Sequence, residues 1–318
     1  MRIAVIGAGA IGGFVAAALA RSGNSVAVVA RGAHLEAIRR SGITLLASEL
    51  GPFTARVEAG EDLRDLGSFD VVLLAFKAHQ FDALLPQLQP AAAHGSTFVT
   101  LQNGVPFWFR RDPPLRTVDP GGRIGATLPD TQVIGGVVHI SGHIVEPGVL
   151  HQSSGMRLIL GARDPAAQAP LDALVAALRG AGLTAQLPPN VAHDVWQKLV
   201  NNAGFNPLSA VSGMTIHEMI RDPGTLAELR TLMRETAAVG RRLGVVAPGE
   251  VDIEARFSGW LARPDVRTSM LQDYLADRPL ELDPIVGAPV ELGEDLGVPV
   301  PHLRAIYDEL RARTAARS

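Results

Sequence analysis

An apolar, β-branched run at Arg2–Ile6 leads directly into Gly7-Ala8-Gly9-Ala10-Ile11-Gly12, and a helical pattern follows over residues 14–21. A second strand pattern begins at Ser25. Strand, tight turn, helix and strand in this order make a βαβ unit, and the spacing G-x-G-x-x-G gives each glycine a mechanical task. The first permits the turn, the second lets backbone approach a pyrophosphate, and the third lets the helix lie close on the strand. The amino terminus of that helix then faces the phosphates. Residues 7–12 are therefore read as the phosphate-binding turn of a dinucleotide site.

The end of the second strand chooses among dinucleotides. An NAD or FAD site places an acid there to accept hydrogen bonds from ribose hydroxyls, whereas this strand ends Val28-Val29-Ala30-Arg31-Gly32. Arg31 has no acceptor and is suited to a 2′-phosphate, so NADPH is the expected cofactor. Alternation of strand and helix continues: a buried strand at 69–76, a helix at 80–88, and a strand at 96–101. Lys77 follows the first of these strands and Asn103 the second. Ligands of open α/β sheets collect beyond the carboxyl ends of strands, which puts both residues beside the cofactor. Residues 133–150 read as β structure broken by Gly142 and Pro147-Gly148. A strand at 156–160, a helix at 166–179 and a strand at 184–187 follow.

Length agrees with two domains, since 318 residues exceed one ordinary domain. Pro188-Pro189 is the expected boundary. The fold class is thus α/β: an amino-terminal Rossmann-type domain at 1–187 and an all-helical domain at 188–318. With 29 basic against 32 acidic residues and no basic run longer than two, the chain has no surface for nucleic acid. Zero cysteines exclude disulfides, thiolate metal sites and a cysteine nucleophile. His139, His143 and His151 lack the carboxylates or helical spacing of a ligand set, so no metal is expected. Arg2 followed by uncharged 3–20 imitates a secretory leader, but four glycines interrupt it and the apolar pattern resumes as a strand. The expected location is cytoplasmic, with no membrane partner.

Only Lys77 and Lys198 are lysines, which leaves 27 arginines. Base composition can favour arginine wherever a surface cation suffices, and that leaves the two surviving lysines to be explained. A lysine ammonium can have its pKa lowered until it exchanges a proton, which a guanidinium does not do. In the helical half, Lys198, Asn202 and Asn206 recur every four residues along one helical face. This looks like a substrate-binding row. Pro207 is expected to kink or end that helix near Asn206.

Taken in order along both domains, these motifs resemble ketopantoate reductase: G-A-G-A-I-G, Arg31 in V-A-R-G, Lys77 in F-K-A, Asn103 in Q-N-G, K-L-V-N-N at 198–202 running into N-P-L at 206–208, and S-M-L-Q-D at 269–273 followed by Glu281. The resemblance implies NADPH-dependent reduction of 2-dehydropantoate to (R)-pantoate on the route to pantothenate and coenzyme A. It implies that Lys198 is the catalytic lysine and that Asn202, Asn206 and Ser269 contact substrate. Glu281 would stand at the cofactor and substrate junction, with Lys77 and Asn103 at the cofactor ribose and nicotinamide. A small 2-keto acid is the implied substrate, and a homodimer is open. Two stretches depart from the family pattern: the aromatic run Val105-Pro106-Phe107-Trp108-Phe109, and Ser212-Gly213-Met214-Thr215-Ile216, where the family often places another polar contact. A paralogous reductase of another 2-keto acid or an imine, and a non-catalytic NADP(H) sensor, are the alternatives.

Overall fold

The computed structural model describes residues 1–46, 49–262 and 265–317. The chain divides into two compact units, residues 1–102 with 123–191, and residues 103–122 with 192 onward. The sequence reading drew one cut at 187/188. The chain instead crosses into the second unit after Gln102 and returns at Arg123, so the Q-N-G motif is split between units.

In the first unit the strands are β1 (Arg2–Ile6), β2 (Ser25–Val29), β3 (Ile43–Leu46), β4 (Pro52–Ala55), β5 (Glu58–Gly60), β6 (Val71–Leu74), β7 (Thr97–Thr100), β8 (Val133–Glu146), β9 (Val149–Ala162) and β10 (Thr184–Gln186). They form one sheet in the order β4-β3-β9-β8-β7-β6-β1-β2-β5, with β10 also on β9. Strands β6 and β7 are buried at every position, as parallel strands covered on both faces must be. Helices α1 (Ala10–Arg21), α2 (Gly32–Ser41), α3 (Phe81–Ala93), α4 (Arg123–Thr127) and α5 (Gln168–Gly180) complete the unit. Because β1 pairs in parallel with both β2 and β6, the direction of winding reverses beside β1. A crevice for ligands opens at such a switch.

Gly142 does not break its strand, contrary to the sequence reading. Strands β8 and β9 are a continuous antiparallel hairpin of 14 residues each, with register shifts between His139 and Ser141, Ser141 and Gly142, and Ile144 and Glu146. A Cβ at Gly142 would lie 2.6 Å from the His151 carbonyl oxygen, so the glycine permits the irregular pairing.

The second unit is helical: α6 (Val191–Ser212), α7 (Ile216–Arg221), α8 (Pro223–Arg242), α9 (Ala255–Ser258), α10 (Ser269–Leu275), α11 (Ala288–Asp295) and α12 (Pro301–Ala315). Its starts are written in the sequence. Thr215 and Glu218 form a capping box on α7, and Asp222 caps α8 ahead of Pro223. Pro207 does not stop α6, which runs five residues beyond it. The proline removes one N–H, but residues 203–210 are buried and tertiary packing holds the helix through the gap.

Two close approaches lock α6 to α8. A Cβ at Gly204 would lie 2.8 Å from Met233 Cγ, and one at Gly240 would lie 2.2 Å from Trp196 Nε1. The fully buried Trp196 donates to Thr236 O at 2.9 Å, so the turn of α6 that carries Lys198 is fixed by packing and by a hydrogen bond. Among the described residues no helix is long and apolar enough to cross a membrane.

Candidate active site

Two of the three motif glycines, Gly7 and Gly12, stand where no side chain fits. Gly7 has φ +95°, and a Cβ there would lie 2.9 Å from the Ala75 carbonyl group. At Gly12 a Cβ would be 2.1 Å from Gly7 O and 2.7 Å from Ala75 Cβ, so only glycine lets α1 start this close to β1 and the chain after β6. Gly9 differs: a Cβ there would meet no atom within 4 Å, which leaves the amino terminus of α1 open to a ligand. Neither an acid in the first turn nor a side-chain cap takes up its N–H groups. Unpaired N–H groups and the helix dipole together favour an anion.

Around this turn, Arg31 directly precedes α2 and is exposed, and its guanidinium has no partner among the described residues. Lys77 follows β6, half-buried, with its backbone N–H donating to Gln80 Oε1 at 3.1 Å. The carboxyl ends of β2, β1 and β6 therefore present Arg31, the glycine turn and Lys77 in spatial order, a charge pattern that fits a phosphorylated dinucleotide. Gln102, just past β7, was not singled out in the sequence. Its Nε2 and Oε1 are shielded and unbonded among the described residues.

In the second unit Lys198, Asn103 and Glu281 come together. Lys198 Nζ donates to Asn103 Oδ1 at 2.8 Å, and Asn103 Nδ2 donates to Glu281 Oε2 at 3.1 Å. The carboxamide thus spans an ammonium and a carboxylate, which fixes its orientation. Local backbone explains the Asn-Gly pair. Gly104 has φ +85°, and a Cβ there would lie 2.4 Å from the Pro284 carbonyl group; Val105 N donates to Pro284 O at 2.7 Å. Only glycine lets the chain lie against the residues that follow Glu281. Burial pushes the Lys198 ammonium down to about 8, and Glu281 opposes the fall. A group with that pKa is largely charged at neutral pH and can still surrender its proton.

Asn202 is half-buried and Asn206 buried on the same face of α6, and neither carboxamide is hydrogen-bonded among the described residues. The adjacent face is occupied otherwise. Arg256 donates to Gln197 O at 2.9 Å, to Asn201 Oδ1 at 2.8 Å, and to Gln197 Oε1. Of the paired asparagines, Asn201 is engaged by Arg256, and Asn202 makes no hydrogen bond among the described residues. Ser269 is the exposed first residue of α10, whose cap is the buried Thr268; no hydrogen bond joins Ser269 to the α6 row among the described residues.

Residues 103–122 are anchored by an acid the sequence did not reveal. Glu291 accepts from Arg116 N at 2.8 Å, Thr117 N at 2.9 Å and Thr117 Oγ1 at 2.8 Å. Burial pushes its carboxyl up, but these bonds prevail and hold it below the usual range. The apolar residues of the two departures from the family pattern pack inward, whereas Ser212 and Gly213 are exposed. Phe107 and Trp108 are buried, Phe109 lies 5.3 Å from the Trp196 ring, and Ile216 is buried at the start of α7. His143 and His151 face each other with ring centroids 5.0 Å apart. No group of three or more potential ligands that could hold a metal occurs among the described residues.

Comparison with known proteins identifies the family. The family pattern described as Ketopantoate reductase PanE/ApbA matches residues 3–165, and its C-terminal counterpart matches residues 190–314. The chain belongs to the ketopantoate reductase family. A 2-dehydropantoate 2-reductase from Mesorhizobium japonicum is 37% identical, over 100% of this chain and 99% of its own length. The crystal structure of a 2-dehydropantoate 2-reductase from Methylococcus capsulatus superposes with a TM-score of 0.83 at 30% identity, over 99% of this chain and 98% of that one. A D-mandelate dehydrogenase solved with NADH and anilino(oxo)acetate shares the fold, with a TM-score of 0.84 at 21% identity over 99% of each chain. The Rossmann-type domain followed by a helical domain is thus the architecture of an oxidoreductase family.

Proposed function

We propose that the protein reduces 2-dehydropantoate to (R)-pantoate with NADPH, in the cytoplasm, acting on a small 2-keto acid and open to pairing with a second copy of itself. The observation that carries the reading is Lys198: a desolvated ammonium with a pKa near 8, hydrogen-bonded to Asn103 and followed along α6 by two unengaged carboxamides. A sensor would need no such proton donor.

When bound, the nicotinamide supplies a hydride to the keto carbon. Lys198 stabilises the negative charge that grows on the keto oxygen and delivers a proton to it, a contribution of about 10² to 10⁴ in rate. Asn103 holds the ammonium in line, and Glu281 keeps it protonated. Asn202, Asn206 and Ser269 bind the carboxylate and hydroxyl of the substrate. Gly7, Ala8, Gly9, Ala10, Ile11 and Gly12 hold the pyrophosphate through their backbone, Arg31 holds the 2′-phosphate and Lys77 the ribose. Asn103 and Glu281 also border the nicotinamide.

Following NADPH oxidation at 340 nm with 2-dehydropantoate tests substrate and reaction together. Arg31 predicts that NADPH binds at least tenfold tighter than NADH, about 1.4 kcal/mol, and that Arg31→Ala removes most of the difference. Equal affinities in the unmutated protein would refute the cofactor assignment. A second reading, a reductase of another 2-keto acid using NADH, is favoured by the shared fold of D-mandelate dehydrogenase with its NADH and anilino(oxo)acetate. No turnover of 2-dehydropantoate beside rapid reduction of another keto acid would select it.

A further inference from the structure

We infer that His34 is a positioning residue for the phosphate-binding turn: its imidazole sets the plane of the Ala8–Gly9 peptide and so aims the Gly9 N–H toward a bound pyrophosphate. The inference rests on the cofactor reading above.

His34 lies in the first turn of α2, three residues after Arg31. Its Nε2 is 2.7 Å from Ala8 O, and the Gly148 N–H donates to its Nδ1 at 3.1 Å. A ring nitrogen that accepts a hydrogen bond carries no proton, so Nδ1 is the acceptor and the Nε2–H donates to Ala8 O. In a trans peptide the carbonyl and the following N–H point in opposite directions. Drawing Ala8 O toward α2 therefore turns the Gly9 N–H away from α2. Gly9 benefits from such a clamp, because glycine is conformationally permissive and the missing Cβ would have met no atom within 4 Å.

The clamp is itself held. Gly148 sits in the turn between β8 and β9 with φ +82°, and a Cβ there would lie 3.0 Å from Ala37 Cβ of α2. Its carbonyl accepts from Thr44 N at 2.9 Å. The imidazole thus spans two rigid turns, and the helix that begins beside the 2′-phosphate reader also orients the pyrophosphate reader.

Two ligands separate this role from a merely structural one. NADPH carries both the 2′-phosphate and the pyrophosphate, whereas adenosine 2′-phosphate carries only the first. Both are titrated calorimetrically against the unmutated protein and against His34→Ala, His34→Phe and His34→Gln, with thermal unfolding measured alongside. Phenylalanine keeps a ring and removes both hydrogen bonds; glutamine returns a donor and an acceptor at similar separation. The expected result is NADPH binding weakened about tenfold in the alanine and phenylalanine variants, adenosine 2′-phosphate binding unchanged within about twofold, and recovery in His34→Gln. Unchanged NADPH affinity in both apolar variants, equal weakening of both ligands, or no recovery with glutamine overturns the assignment. Failure of the unmutated protein to bind NADPH would sink the cofactor reading, and this inference with it.

Discussion

Replacing Glu281 with glutamine removes a charge while leaving an oxygen to accept from Asn103. The two charges are joined through the Asn103 amide by contacts of 2.8 and 3.1 Å, which puts them roughly 8 Å apart or less. At that distance Coulomb's law gives about 0.5 kcal/mol in water and about 2 kcal/mol at an effective dielectric of 20, or about 0.4 to 1.5 pH units. The sign is fixed, because an anion favours the charged form of a lysine and its removal lowers the pKa. Lys198 therefore moves down from about 8. The assay is kcat/KM for 2-dehydropantoate at saturating NADPH from pH 5.5 to 9.5, which reports the protonation of groups before substrate binds. The unmutated enzyme should lose activity as pH rises through about 8, since the donor must start protonated. In Glu281→Gln the same limb should begin earlier. At the upper limit of the shift, the deficit is about fourfold at pH 7 and over tenfold at pH 8.5. A limb that stays in place, or moves upward, would refute the electrostatic link between Glu281 and the proton donor.

Lys198→Arg keeps the charge but not the exchangeable proton, so kcat should fall by about 10² or more with NADPH affinity nearly unchanged; retention of more than about a tenth of the activity would withdraw the assignment. Glu291→Gln should destabilise the protein at pH 7 by about 2 kcal/mol, read from urea unfolding, because a buried acceptor of several hydrogen bonds loses its charge. A carboxyl with a lowered folded pKa stabilises the protein above its ordinary pKa, and that stabilisation is lost as pH falls through the folded value. The gap between Glu291→Gln and the unmutated protein should therefore close as pH falls below the usual carboxylate range, and a gap that persisted in acid would argue against the linkage.

The parts of the fold that were legible in the sequence depend on neighbours a few residues apart. The glycines at 7, 9 and 12 are tied to one turn, and the caps of α7 and α8 are read within four residues. What the sequence concealed involves partners far along the chain. The excursion at 103–122 is held by Glu291, more than 170 residues away, and nothing in its own composition announces that anchor. Asn103 was expected at the cofactor from its place after a strand, but its bond to Lys198 spans 95 residues. Gly142 and Pro207 misled for a related reason. Each is a local breaker overruled by pairing or packing from elsewhere in its unit.

The basic residues divide by the contacts they make. Arginine supplies the cations that act as clamps: Arg256 grips α6 by several donors, Arg110 reaches Asp295 at 2.7 Å, and Arg116 adds its Nε to Glu291 at 3.3 Å. Each of these tasks uses a planar fork that never has to release a proton. Lys198 is on the same helix that Arg256 grips, one position along from Gln197, yet there burial has lowered the ammonium's pKa to about 8. A guanidinium at that position would remain charged and offer no proton to a keto oxygen. A chain that uses arginine for these clamps keeps lysine at 198, the position proposed to pass a proton to a keto oxygen, and Lys198→Arg tests that proposal.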